Sequence, residues 1–228
     1  MKKTTLLTTA MFSALLGFSQ LTQINLPINW EGTTTNYAVT DFGGTASSVV
    51  VDPTLASNMV LKTDKTAGAQ TWAGTTLSAG TAPTGLASAI PFSVGNTIIT
   101  VKVWSPNAGI QVRLKAEDKT DPTKSVETEA TVTVASGWQT LTFNFANQAA
   151  GTAAINFGYT YNMLSIFYNF GVDGATAGLK TYYCDDVIFG GGAPVLNQIA
   201  LPINWEGTNT NYTVTDFGGT ASALNADP

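Results

Sequence analysis

The chain has 228 residues, carries 10 Lys and Arg against 15 Asp and Glu for a net charge of −5, and contains no histidine. So acidic a chain lacks the basic patch that neutralises phosphates, which excludes nucleic acid and argues against an anionic membrane surface. Without histidine there is no Ser-His-Asp or Cys-His machinery and no His-ligated metal, and 44% hydrophobic residues exclude disorder for the chain as a whole.

Residues 1–19 read as a secretory signal peptide. Lys2 and Lys3 form the basic start, Leu6 to Phe18 the apolar run, and Gly17-Phe18-Ser19 places small residues around a cut after Ser19. The run falls short of the ~20 apolar residues that a membrane span needs. No cysteine stands directly after the cut, where Gln20 follows Ser19, so no lipid anchor is expected there. The expectation is a secreted protein, extracellular or at the cell surface, with no membrane insertion.

After the leader, short runs of period-two alternation recur, bounded by Gly, Pro, Asn and Asp, which is the pattern of half-buried strands. In chain order, strands are expected near Tyr37–Phe42, Ser48–Val51 and Met59–Thr63. Ile98–Trp104 sets Ile99, Val101 and Val103 against Lys102 and Trp104. The turn Ser105-Pro106-Asn107-Ala108-Gly109 then leads into Gln111–Glu117, so the two read as a hairpin. There Val112, Leu114 and Ala116 oppose Gln111, Arg113, Lys115 and Glu117. Further strands are expected at Ser125–Val134, Thr140–Phe145, Ala154–Tyr161, Leu164–Phe170 and Lys180–Phe189. The predicted fold is all-β, a β-sandwich jelly roll of about ten short antiparallel strands, filling residues 20–190. Trp138, Tyr159 and Tyr161 are expected in the core. Cys184, the single cysteine, can form no disulfide within the chain and reads as a small buried hydrophobe.

Gly190-Gly191-Gly192-Ala193-Pro194 breaks the strand pattern and opens a linker over 191–197. Beyond the linker the chain repeats its own beginning. Leu26 to Ser47 and Leu201 to Ser222 align over 22 positions, differ at two, and stand 175 residues apart. Solenoid units run to about 20–50 residues, whereas this period has the size of a domain. Residues 198–228 therefore read as the truncated start of a second copy, in a chain that is a tandem array of domains.

Three stretches resemble, in their order, the jelly-roll carbohydrate-binding modules of families 4 and 9, which have a galactose-binding-like fold. They are Asn29-Trp30-Glu31-Gly32, "SGWQTLTFNF" from Ser136 to Phe145, and "TYYCDDVIF" from Thr181 to Phe189. Residues 98–117 match the middle of those modules in kind. The sequence also looks like repeated secreted domains found beside bacterial polysaccharide-degrading enzymes. The resemblance implies a non-catalytic module that binds polysaccharide, acting as a monomeric unit within a multidomain chain. It also implies a structural calcium held by Glu31 and Asp185, with Asp186 next in line; hard Ca²⁺ takes six to eight oxygens.

The ligand surface is read from the residues. Glycan sites combine an aromatic platform with a few polar side chains. The exposed parity of residues 98–117 offers Lys102, Trp104, Gln111, Arg113, Lys115 and Glu117, and Trp72 is a second aromatic. In a plainer reading, Arg113 and Glu117 pair with Glu127 and Lys102 as a surface network. Glu127 and Glu129 share a strand face about 6.6 Å apart at Cα, a spacing that permits a glycosidase pair. Nothing apolar beside them would raise one pKa, so a solvated or ligand-facing strand is expected instead. The alternative to a binding module is a structural or adhesive spacer with no ligand site.

Overall fold

The computed structural model describes residues 21–78 and 85–190, with two further short strands at 197–198 and 210–211. The expected leader, and most of the expected linker and second copy, lie outside the described residues.

In chain order the elements are β1 (Thr22–Gln23), β2 (Thr35–Asn36), β3 (Thr40–Phe42), β4 (Thr45–Asp52), β5 (Leu55–Lys65) and β6 (Gly74–Thr76), then β7 (Ile98–Ser105), β8 (Gln111–Asp118) and β9 (Asp121–Thr131). After these come β10 (Gly137–Asn144), β11 (Met163–Tyr168), the single-turn helix α1 (Gly174–Ala177), β12 (Lys180–Phe189), β13 (Asn197–Gln198) and β14 (Thr210–Asn211). Two antiparallel sheets of five strands form the sandwich, one in the order β10-β7-β12-β5-β4, the other β3-β6-β11-β8-β9. The expected all-β jelly roll is what the chain forms. No helix among the described residues is long and apolar enough to cross a membrane.

The alternation works as read. Ile99, Val101 and Val103 of β7, Leu141 and Phe143 of β10, and Tyr182 and Cys184 of β12 face inward from the first sheet. Against them stand Val112, Leu114 and Ala116 of β8, Leu164, Ile166 and Tyr168 of β11, and Val126 of β9. Cys184 is fully buried and free, as expected. Ile24, Ile28 and Trp30 of the opening segment also enter the core, and Ile28 bridges Val187 to lay that segment along β12. The first and last parts of the domain therefore lie side by side.

Four expectations need correction. Residues 98–117 do not form a hairpin, because β7 pairs with β10 and β12 while β8 pairs with β9 and β11 in the other sheet. Residues 154–161 form no strand but a surface loop, in which Tyr161 is buried while Phe157 and Tyr159 are exposed. Trp138 is not core: its partner across the strands is the outward Trp104, and the inward residues of β10 are Leu141 and Phe143. Strand β6 was not expected, and its outward Gly74 and Thr76 take part in the site.

Candidate functional site

The outer face of the second sheet gathers most of the polar residues that parity marked as ligand candidates. Register fixes the rows. Phe42 pairs with Gly74, Phe167 with Arg113, and Arg113 with Glu129, so one row crosses all five strands as Phe42, Gly74, Phe167, Arg113 and Glu129. The next row reads Thr40, Thr76, Ser165, Lys115 and Glu127. Met163, Glu117 and Ser125 make a third.

An aromatic wall occupies one side. The Trp72 ring stacks on Phe42 with centroids 6.2 Å apart and planes 14° from parallel, and it is 51% exposed. Phe42 meets Phe167 edge-on at 5.5 Å, and Phe167 meets Phe170 edge-on at 5.8 Å. Two glycines make room for this wall. A Cβ on Gly74 would lie 2.7 Å from Phe167 Cδ1 and 2.8 Å from Phe42 Cζ, so the rings cross over β6 because that position has no side chain. Gly43 has φ of +66°, a region that favours glycine, and a Cβ there would come within 2.9 Å of the Trp72 ring.

The polar side is a network of ion pairs. Arg113 donates from Nε to Glu129 Oε1 at 2.8 Å, from Nη2 to the same oxygen at 2.6 Å, and from Nη1 to Glu127 Oε2 at 2.7 Å. Its guanidinium lies 3.6 Å from the Phe170 ring centroid, which joins the ionic network to the aromatic wall. Lys115 pairs with Glu117, and Gln111 donates to Thr131 Oγ1 at 2.9 Å. The plain surface network was thus half right: Arg113 takes Glu127 and Glu129, but Lys102 is not part of it.

Lys102 and Trp104 belong elsewhere. On the outer face of the first sheet, Trp138, Trp104, Tyr183 and Lys62 succeed one another across β10, β7, β12 and β5. Trp104 meets Tyr183 edge-on at 5.5 Å, the Lys102 ammonium sits 5.2 Å from the Trp138 ring, and Trp138 Nε1 donates to Thr54 Oγ1 at 3.1 Å. The seven residues expected on one surface are therefore divided. Arg113, Gln111, Lys115, Glu117 and Trp72 come together on the second sheet, whereas Trp104 and Lys102 stand on the opposite side of the sandwich. Sequence reading missed Phe42, Phe167, Phe170 and Gly74. Parity marked no outward aromatic on β11, and β6 is too short to show alternation.

The two residues expected to hold calcium lie near one another where the opening segment meets β12. The Met59 N–H donates to Glu31 Oε1 at 2.6 Å, and Asn58 Nδ2 donates to Asp185 Oδ2 at 3.0 Å and to Asp52 Oδ2 at 3.2 Å. Asp186 gives Asp185 Oδ1 a backbone N–H at 2.8 Å. Burial pushes the Asp185 carboxyl above its ordinary pKa, against the hydrogen bond from Asn58. The Tyr37 hydroxyl is raised first by burial and also by the charges of Glu31 and Asp185, which marks both as its neighbours. Among the described residues no group of three His, Cys, Asp and Glu is placed to hold a metal ion. A calcium at Glu31 and Asp185 would have to draw its remaining oxygens from backbone carbonyls.

An apolar cleft of about 360 Å³ opens beside Leu26, Pro27, Ile90, Pro91, Ile188 and Phe189. It draws in none of the ion pairs or exposed aromatics, so the open sheet face is the better candidate for recognition.

No protein-family model and no curated protein matches the sequence. Among solved structures, the chain is similar to an exo-β-agarase at 11% identity and a TM-score of 0.49, covering 75% of this chain and 25% of that one. It is similar to the family 11 carbohydrate-binding module of a cellulosomal cellulase of Clostridium thermocellum at 13% identity and a TM-score of 0.45, covering 74% of this chain and 95% of that one. A family 29 carbohydrate-binding module matches at 9% identity and a TM-score of 0.43, over 75% of this chain and 91% of the other. The chain spans only a quarter of the agarase's length.

Proposed function

We propose that this is a secreted, non-catalytic module that binds polysaccharide on the outer face of the β3-β6-β11-β8-β9 sheet. The observation that carries this reading is the wall Trp72–Phe42–Phe167–Phe170 standing directly beside Arg113, Glu127 and Glu129. The apolar side of a pyranose stacks on an exposed aromatic ring, and its hydroxyls bond to planar polar groups; the wall and the network supply one of each. A glycosidase needs one carboxyl as proton donor and another as base or nucleophile. Glu127 and Glu129 instead hold the same guanidinium, an arrangement suited to fixing two acceptors in place.

The repeated sequence supports a tandem array, in which weak sites on one chain gain avidity without new contacts. β13 and β14 pair in parallel as Asn197↔Thr210 and Gln198↔Asn211, each 175 residues beyond the pairs Thr22↔Thr35 and Gln23↔Asn36 of β1 and β2. The second copy thus begins with the same local pairing as the first. A calcium held by Glu31 and Asp185 would tie the opening segment to β12 and stabilise the fold without touching the ligand face.

The test is a polysaccharide pull-down and glycan array on the full chain, alongside Trp72→Ala. Retention by a polysaccharide, lost in the variant, is the expected result. No retention by any glycan would leave a spacer domain as the better description.

A further inference from the structure

Resting on that reading of the face, we infer that the site takes neutral, hydroxyl-rich polysaccharides and refuses polyanionic ones, with Glu117, Glu127 and Glu129 deciding the difference. The face holds two cations, and both are already committed. Arg113 directs three N–H donors at Glu127 and Glu129 while Phe170 lies against its guanidinium. Lys115 is paired with Glu117. An incoming uronate or sulfate would have to break one of these pairs to find a positive partner, and charge-assisted pairs are the strong ones.

The carboxylates outnumber the cations, three against two; Glu117 is buried, but the side chains of Glu127 and Glu129 are 21% and 29% exposed, against 12% for Arg113. An ionised carboxylate accepts hydrogen bonds and donates none, and each has more lone-pair positions than Arg113 fills. Sugar hydroxyls donate to such groups, whereas an anionic ligand would meet like charge. Other lysines do not change this balance. Lys124 is paired with Asp121 at 3.2 Å at the start of β9, Lys119 lies in the β8–β9 turn and not in the rows of the face, and Lys102 is on the opposite face. The net charge of −5 opposes polyanions at long range as well. Arg113 is on this account a positioning residue, which holds two acceptors at a fixed spacing.

Affinity electrophoresis tests this with the full chain in native gels containing soluble neutral polysaccharides (mixed-linkage β-glucan, xylan, galactomannan, agarose) or polyanionic ones (alginate, polygalacturonate, carrageenan). Retardation is expected in at least one neutral gel and in none of the polyanionic gels. The neutral affinity should change by less than about twofold between low and high salt, since no counterions are released. Retardation by a polyanion that weakens with salt overturns the inference and leaves polysaccharide binding intact. Absence of retardation in every gel removes the binding reading, and the inference with it. The double variant Glu127→Gln/Glu129→Gln, with its fold checked by circular dichroism, frees the guanidinium and should gain polyanion retardation. If the folded variant still ignores polyanions, these carboxylates are not the filter.

Discussion

Trp104 and Arg113 lie nine residues apart in the chain and on opposite outer faces of the sandwich, because β7 belongs to one sheet and β8 to the other. A single ligand cannot touch both. Any contribution of Trp104 to polysaccharide retention must come through a surface separate from the one that holds Arg113.

This gives the first prediction. Trp72→Ala should weaken polysaccharide retention about tenfold or more, equivalent to ~1.4 kcal/mol. Its ring is half exposed, so the stability change should stay within about 0.5 kcal/mol. Trp104→Ala should leave retention unchanged. The opposite pattern in a pull-down, with Trp104 essential and Trp72 dispensable, would place the ligand on the first sheet.

The jelly roll was legible from the sequence because alternation reports directly which residues are buried. Ile99, Val101, Val103, Val112, Leu114 and Ala116 all fell on the side expected of them. What alternation does not report is which strand lies next to which. The turn after β7 carries the Pro, Asn and Gly of a hairpin, yet the chain uses it to pass from one sheet to the other, so parity placed Trp104 beside Arg113 when pairing did not. The aromatic wall was hidden for a related reason. Phe42, Gly74 and Phe167 are far apart in sequence and become neighbours only through the β3-β6-β11 pairings, and an outward Phe on a strand looks like a core residue until its partners are known.

Gly74→Ala is the second prediction. Besides the two rings, the new Cβ would lie 2.9 Å from the Ile166 carbonyl oxygen, and backbone in mid-sheet yields little. Overpacking of this kind costs about 1–3 kcal/mol. Denaturant unfolding should show a loss of that size, and retention should fall as well because Phe42 and Phe167 are pushed apart. Wild-type stability in the variant would mean that β6 can shift freely and does not set the wall.

Tyr168 supplies the third. Its hydroxyl is fully buried with no hydrogen-bond partner among the described residues beyond the weakly bonding Cys184 thiol beside it, and its ring stacks on Tyr182 at 4.7 Å with planes 3° apart. An unsatisfied buried hydroxyl costs about 1–3 kcal/mol, so Tyr168→Phe should be neutral or stabilising at pH 7. Burial raises both phenols, Tyr182 to about 12, from an ordinary value of 10.0. Above pH 10 the unfolded chain gives up these protons while the folded chain keeps them. The folded state then binds more protons, and stability falls as pH rises through that interval. Tyr168→Phe/Tyr182→Phe should flatten this alkaline loss in melts taken at successive pH values; an unchanged slope would assign the loss to other groups.

The fourth concerns calcium. A ligand bound only by the folded state stabilises by mass action, so calcium should raise the melting temperature and chelator should lower it. Glu31→Gln should abolish the response, and Asp185→Asn should do the same. Identical melts with calcium and with chelator would remove the site. Polysaccharide retention should survive chelation at temperatures where the protein stays folded, since Glu31 and Asp185 are not on the ligand face.

The parallel pair that opens the domain occurs twice, as β1 with β2 and again as β13 with β14 at the same internal offsets. A strand pair that recurs at one offset within nearly identical text points to a register set locally, by the sequence that joins the two strands. Such a segment makes a safe seam. On the tandem-array reading, a duplication that cuts the gene at this point would leave each product with the same opening register, so that arrays of different lengths could share one way of starting.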